Sequence, residues 1–398
     1  MRVLYVTEGF PYPLTSGNLR HYHLIRGLSE SHEVHLASIV GGDHRVEHAD
    51  AMRPFCASVE TFRSAARSSL WRKASTRARE LVVGGGTNAA ARALTAAVAE
   101  PLSRSAYDVI VLHGRLTVSV LDHAGHTPVV VDLCDAPMPR LLSQLRYSSV
   151  LRRLQIRLRM RRVRRAEDRL IGAGSHLLFA SARDRDLALR DVTATPPATV
   201  LPNGVDLEYW HRTQPRLGDE VVFSGAMHYP PNDDAARFLV GSVMPVVWNA
   251  EPTVRVRVIG LSPSAALRRA AARDARVEVT GFVDDVRPHL ERGAVYAAPL
   301  RFASGIQNKL LEALAMELPV VTTRHGADGL RGDDDPELPL VVASGADDFA
   351  AGILAALDRA ERDPEPHRAG RAFVSDRFTW PQANAILERV LADVGRSA

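Results

Sequence analysis

From the amino end, short and nearly continuous apolar runs alternate with longer stretches whose apolar residues recur at helical spacing. Val3–Thr7, Glu33–Ile39, Val109–Leu112 and Val129–Leu133 read as strands, with Leu19–Ser29 and Ala89–Ala99 among the helices between them. Strands apolar on both faces, alternating with helices, predict a parallel doubly wound sheet. A zone of turn residues follows, Pro196-Pro197 and then LPNGVDLEYW over Leu201–Trp210, where Pro and Asn-Gly punctuate the chain. The pattern then restarts: Val221–Ser224, Val254–Ile259, Val277–Thr280, Val295–Pro299, Pro319–Thr323 and Leu340–Val342 read as strands in βα order. The chain therefore reads as two α/β halves in series, an N-terminal one over 1–200 and a C-terminal one over 201–375. Gly27 interrupts the first helix and marks close packing, because a mid-helix glycine costs about 1 kcal/mol. Gly84-Gly85-Gly86 reads as a loop, and its position does not make it a phosphate loop.

Composition narrows the picture. A chain of 398 residues, 46% apolar and 24% charged, suits two globular domains. The two cysteines, Cys56 and Cys134, have no CxxC neighbour, which speaks against a disulfide framework or thiolate metal site and fits a reducing, cytoplasmic setting. The opening MRVLYVTEGF reads as a buried first strand rather than a signal peptide, and no run approaches the ~18–20 apolar residues that span a bilayer. The net charge of +4 is concentrated in the eight arginines between Arg152 and Arg165, interleaved with Leu151, Leu154, Leu158 and Val163. This amphipathic segment is either a solvated helix face or a patch for anionic lipid headgroups or a lipid-phosphate acceptor. No aromatic platform accompanies it, so nucleic acid is not an expected partner.

The chemistry concentrates in VYAAPLRFASGIQNKLLEALAMELPVVTT, Val295–Thr323, which reads strand, loop, helix, strand. Ligands of open α/β sheets bind at carboxyl strand ends. A helix N-terminus there offers unpaired N–H groups and a partial positive charge, suited to a diphosphate. Gly305 lets the backbone approach, Lys309 adds a cation one turn into the helix, and the Glu312 carboxylate can accept both hydroxyls of a ribose. The bland alternative makes Lys309 and Glu312 an ordinary i,i+3 pair on a solvated face.

Three segments carry a family resemblance. SGIQNKLLEALAMELPVVTT resembles the signature of retaining glycosyltransferases of the GT-B fold, family four, LPNGVDLEYW its segment opening the C-terminal domain, and TSGNLRH (Thr15–His21) its N-terminal glycine loop. With FSGAMHYPPNDDA and TGFVDDVRPHL, the pattern is most similar to bacterial sugar transferases associated with exopolysaccharide loci. The resemblance implies two Rossmann-like doubly wound domains facing a central cleft, with the helix over 376–398 returning to the N-terminal domain. It implies that Gly17 faces the donor phosphates and that Gly225 closes the first strand of the second domain. Val283 would lie at the nucleobase; Ser304, Gly305, Ile306, Gln307, Asn308 and Lys309 would cradle the diphosphate and sugar; Glu312 would take the ribose. Asp135, in DLCDAP, or His113, after DVIVL, would activate the acceptor; their bland alternatives are a helix cap and a loop histidine. The chain departs from the family at Ser304, which replaces the first of two glutamates, at FSGAMHYPPN, which lacks the usual Arg and Lys, and at Glu317, where the family has Gly.

The implied reaction is front-face glycosyl transfer with retention from a nucleotide-sugar donor, UDP-linked by preference, to a lipid-linked or small-molecule acceptor. It needs no cofactor and no metal, since Asp233-Asp234 and Asp284-Asp285 lack Asp-x-Asp spacing and read as loop acids. The rivals are a nucleotide-sugar epimerase, a catalytically silent binding relative suggested by Ser304 and Cys134, and an oxidoreductase, for which no GxGxxG follows a strand.

Overall fold

A computed structural model describes residues 1–14, 19–41, 46–63, 89–134, 136–146, 150–303, 305–332 and 337–397. The chain divides into two compact units. One comprises Met1–Ala180, Asp184–Pro202 and Trp380–Ala398, the other Ser181–Arg183 and Asn203–Thr379.

The first unit is built on a parallel seven-stranded sheet in the order β3-β2-β1-β4-β5-β6-β7. Its strands are β1 (Arg2–Thr7), β2 (Glu33–Val40), β3 (Ser58–Arg63), β4 (Val109–His113), β5 (Val129–Cys134), β6 (His176–Phe179) and β7 (Ala198–Val200). Alternate residues of β1 serve opposite faces, as a pleated strand requires. Val3 and Tyr5 pack with Leu24, Ile25 and Leu28 of the Leu19–Leu28 helix and with Leu387, Val390 and Leu391 of the Trp380–Ser397 helix. Leu4 and Val6 pack with Ala91, Leu94 and Val98 of the Ala89–Ser103 helix. Gly27 lies where helices Leu19–Leu28 and Trp380–Ser397 touch: a Cβ there would fall 2.0 Å from the Asn384 amide, the close packing its mid-helix position implies.

The second unit repeats the plan with six parallel strands in the order β10-β9-β8-β11-β12-β13. They are β8 (Glu220–Ser224), β9 (Val256–Ile259), β10 (Val277–Val279), β11 (Gly293–Ala298), β12 (Val320–Thr322) and β13 (Val341–Val342). Both β8 and β11 are buried throughout. Within each sheet, strand order reverses beside the first strand, between β1 and β4 and between β8 and β11. These switch points open a crevice outside the carboxyl strand ends.

Three expectations change. β3, β6 and β7 are additional strands of three to six residues, two of them at the sheet edges. Asp233 and Asp234 are not loop acids; they lie in the Pro230–Phe238 helix, where Asp233 pairs with Arg237 at 2.9 Å. The helix after β11 starts at Asn308, not near Gly305, which places Lys309 in its first turn. Glu317 adopts the left-handed conformation (φ 58°). Leu318 N–H donates to the Ala313 carbonyl and Glu317 N–H to that of Leu314, both at 3.0 Å, so the helix ends in a Schellman motif with Glu317 at the glycine-favouring position.

Candidate donor site and a second polar cluster

In the second unit, the site forms where β8 and β11 end. Gly225 follows β8 with φ 156°, and a Cβ there would fall 2.6 Å from the Asn232 amide nitrogen. Asn232 is buried in the first turn of the Pro230–Phe238 helix, and its Nδ2 donates to the Ala226 carbonyl at 3.0 Å. That bond turns Oδ1 toward Lys309, whose ammonium donates to it. Lys309 Nζ also stands 5.5 Å from the centre of the Phe223 ring. Gly305 (φ 67°) bends the preceding loop. Arg301, in the same loop, is held by Asp234, with Nε to Oδ2 at 2.8 Å. Asn203, from the Asn-Gly turn, donates to Asn308 Oδ1 at 2.9 Å.

Lys309 and Glu312 are not an ordinary solvated pair. Burial pushes the Lys309 ammonium down to about 8, the Glu312 carboxylate acting against it. Burial pushes Glu312 up to about 7, with Lys309 opposing. The two groups act on each other through space, while Lys309 spends its hydrogen bond on a neutral amide. Tyr296, from β11, is fixed by Ser224, its hydroxyl 2.9 Å from Ser224 Oγ; burial raises its phenol above the ordinary range. The result is one cation and one carboxylate, both half-buried, beside the N–H groups of a helix start. Such a corner can receive a diphosphate and a diol.

In the first unit, the corresponding corner is closed on itself. Arg20 Nε donates to Asp132 Oδ2 at 2.8 Å and Nη2 to Oδ1 at 3.1 Å, while Nη1 donates to the Leu201 carbonyl at 2.8 Å. Arg20 is 3% exposed and Asp132 1%. Burial alone raises a carboxyl, but the Arg20 guanidinium outweighs it and holds Asp132 below its ordinary value. Cys134 (φ 58°) donates its N–H to Asp132 Oδ1 at 3.1 Å. His113, at the end of β4, bonds through Nδ1 to the Asp132 carbonyl at 2.9 Å, which makes Nδ1 the donor and orients the ring. The His21 ring lies 4.0 Å from that of His113, and its Nδ1 meets the Tyr5 hydroxyl at 3.0 Å. Burial and then His113 lower the His21 imidazole well below its ordinary range, so it is neutral. His21, His113 and Asp132 are close enough to share a cation, but both Asp132 oxygens are already engaged by Arg20, which a metal would have to displace.

The structure thus brings Gly225, Lys309 and Glu312 to one switch point, with Gly305, Ile306, Gln307 and Asn308 leading into the helix. Val283 stands in the loop after the edge strand β10. Gly17, Ser304 and Asp135 lie outside the described residues. Asn232, Asn203, Arg20, His21 and Asp132 lie inside the quoted motifs FSGAMHYPPNDDA, LPNGVDLEYW, TSGNLRH and DLCDAP, but the sequence pattern gave none of them a role of its own.

Residues 218–359 match the family described as glycosyl transferases group 1. No curated protein matches the chain in sequence. Among solved structures, sucrose-phosphate synthase from Thermosynechococcus elongatus superposes with a TM-score of 0.72 at 14% identity, covering 100% of both chains. Anabaena HepE, solved with UDP-glucose, gives 0.69 at 14% identity over 99% of this chain and 100% of its own. A glycosyltransferase from Rickettsia africae gives 0.66 at 10% identity over 100% and 99%. The fold is GT-B: two parallel-sheet Rossmann-like domains with flanking helices.

Proposed function

We propose that the chain is a retaining glycosyltransferase that moves a sugar from a nucleotide-sugar donor, a UDP-sugar in first place, to an acceptor hydroxyl in surface polysaccharide or glycolipid assembly. One observation carries the reading: Lys309 and Glu312, both half-buried, stand in the opening turns of the helix at the β8/β11 switch point, within the segment that matches a glycosyltransferase family. The UDP and UDP-glucose bound to HepE support the choice of base.

Transfer leaves a nucleoside diphosphate, so negative charge grows on the leaving phosphate. The Lys309 ammonium and the N–H groups at the start of the Asn308–Ala315 helix are fixed dipoles and charge aimed at it. Asn232 holds Lys309 in place, in a chain that lacks the family's other cations. Glu312 takes the ribose hydroxyls, Gly225 and the Ser304–Asn308 loop admit the diphosphate and sugar, and Val283 meets the base. In the N-terminal, acceptor-binding domain, His113 meets the acceptor hydroxyl, with Asp135 the other candidate. The reaction needs no metal and takes place in the cytoplasm. Two readings remain beside it: tailoring of a small metabolite, and a silent nucleotide-sugar binder, which the serine at position 304 favours.

The test is thermal unfolding with UDP, GDP, dTDP, ADP and CMP, each alone and with EDTA. A ligand at 100 times its Kd adds about 2.7 kcal/mol. A shift with one diphosphate that survives EDTA and is lost in Lys309→Ala or Glu312→Ala supports the site. No shift with any of them at millimolar concentration rejects it, and a shift without sugar product from the matching donor moves the silent reading forward.

A further inference from the structure

We propose that one face of the Val150–Ala173 helix is a docking surface for an anionic lipid bilayer. Val150, Leu154, Arg157 and Arg161 recur at i, i+4, i+7 and i+11, which is a single stripe of an α-helix. Val150 is 82% exposed and Leu154 55%, and Leu142, on the neighbouring Pro137–Arg146 helix, is 51% exposed. Arg153, Arg157, Arg161, Arg164 and Arg165 are exposed along and beside the stripe, whereas Ile156, Leu170 and Ile171 turn inward. The two helices pack together, and Arg153 Nε donates to the Leu145 carbonyl at 3.0 Å.

The placement of the acids gives the stripe its sign. Glu167 is taken by Arg115 at 2.7 Å and Asp122 by Arg169 at 2.6 Å, both at the carboxyl half of the helix, and Asp191 stands 3.9 Å from Arg164. Among the described residues, no ion pair reaches Arg157 or Arg161. The exposed Asp168, at i+18, closes the stripe at its carboxyl end. Apolar at Val150 and Leu154 and cationic at Arg157 and Arg161, the amino half of the stripe matches a headgroup boundary: the aliphatic side chains enter the acyl edge while the guanidinium groups meet phosphates. Nucleic acid and acidic proteins would satisfy the arginines but leave Val150, Leu154 and Leu142 without a partner. The surface lies in the first unit and stands or falls independently of the donor site.

The experiment is cosedimentation of the full chain with phosphatidylcholine vesicles and with mixed phosphatidylcholine–phosphatidylglycerol vesicles, at low and moderate salt. Binding is expected to the anionic vesicles only. Arg157→Glu with Arg161→Glu is expected to weaken it at least ~25-fold, about fivefold for each charge removed. Leu154→Ser with Val150→Ser is expected to leave low-salt binding largely intact and abolish it at moderate salt, where charge is screened. Each variant should keep the parent's thermal unfolding midpoint, which separates loss of the surface from loss of the fold. The proposal is overturned if the unaltered chain ignores anionic vesicles at low salt, if the charge reversal binds as well as the parent, or if duplex DNA displaces the vesicles in competition.

Discussion

The two sheets end in polar corners of the same topology, and they hold charge in opposite ways. In the first unit, Arg20 and Asp132 meet across 112 positions of sequence in a buried, two-pronged pair that satisfies both partners. In the second, Lys309 and Glu312 are three positions apart, yet the ammonium bonds the Asn232 amide, and burial pushes the carboxylate up to about 7 against the pull of Lys309. A closed pair stabilises the chain around it, fixing the helix after β1 to β5. An open pair stabilises little by itself. Under the function proposed above, its charge is kept for the donor, while the closed pair braces the corner beside His113.

The strongest way to break this contrast is to delete one partner from each corner. Arg20→Met leaves the Asp132 carboxylate buried without its cation, which is expected to cost about 3–5 kcal/mol. Urea unfolding followed by tryptophan fluorescence reads it, and a loss below ~1 kcal/mol would mean that the pair is no brace. Lys309→Met should behave differently: stability equal to the parent or above it, because a desolvated charge has gone, and UDP affinity lower by about 10- to 100-fold, the worth of a charge-assisted hydrogen bond. Calorimetric titration with UDP measures the second effect. If Lys309→Met unfolds as readily as Arg20→Met, the second corner is also structural and the contrast fails.

Protons sharpen the comparison. The folded chain raises Glu312 from its ordinary 4.5 to about 7, so between those values the unfolded chain has released a proton that the folded one keeps, and stability falls as pH rises. It lowers Lys309 from 10.5 to about 8, so between pH 8 and 10.5 the unfolded chain binds the extra proton and stability rises with pH. The unit is thus least stable near pH 7–8, the window in which both groups are charged and ready for a donor. UDP affinity should peak there and fall about tenfold per pH unit on either side. Glu312→Gln should remove the acid limb beyond what UDP's own titration explains, and Lys309→Met the alkaline limb. A flat profile across pH 6–9 would show that neither group meets the ligand.

How much of this was legible follows from range. The α/β order, the second restart and the strand–loop–helix around Gly305 were readable because they rest on local periodicity and on turn residues. Lys309 and Glu312 were readable because they stand three positions apart. Arg20 and Asp132 were not, since only the sheet order brings β5 and the helix after β1 together. Asn232 was invisible for the same reason: its partner is 77 positions away. β6, in HLLF, and β7, in ATV, were too short to show a period. The start of the helix at Asn308 escaped because its cap position is Gln307, which makes no side-chain capping bond to announce it.

The smallest expected effect lies at Glu317, where the chain keeps an acidic residue in a left-handed turn. That conformation costs a residue with a Cβ roughly 1–2 kcal/mol, and glycine gives back about 0.5–1 through the greater freedom of the unfolded chain. On backbone grounds Glu317→Gly should stabilise by about 0.5 kcal/mol. The side chain pulls the other way. Burial lowers the nearby Arg212 guanidinium, and Glu291 and then Glu317 oppose that loss of charge. Arg212 also has two buried nitrogens, Nε and Nη1, without a hydrogen-bond partner among the described residues, so the field of Glu317 is part of what keeps it charged there. Glu317→Ala separates the two contributions, since it keeps the strain and removes the carboxylate. If backbone strain dominates, Gly is more stable than Glu and Ala is less stable than both. If the carboxylate dominates, Gly and Ala fall together below the parent. Urea midpoints of the three proteins decide between them, and the second outcome would explain why a non-glycine residue is tolerated at the end of the helix that carries Lys309.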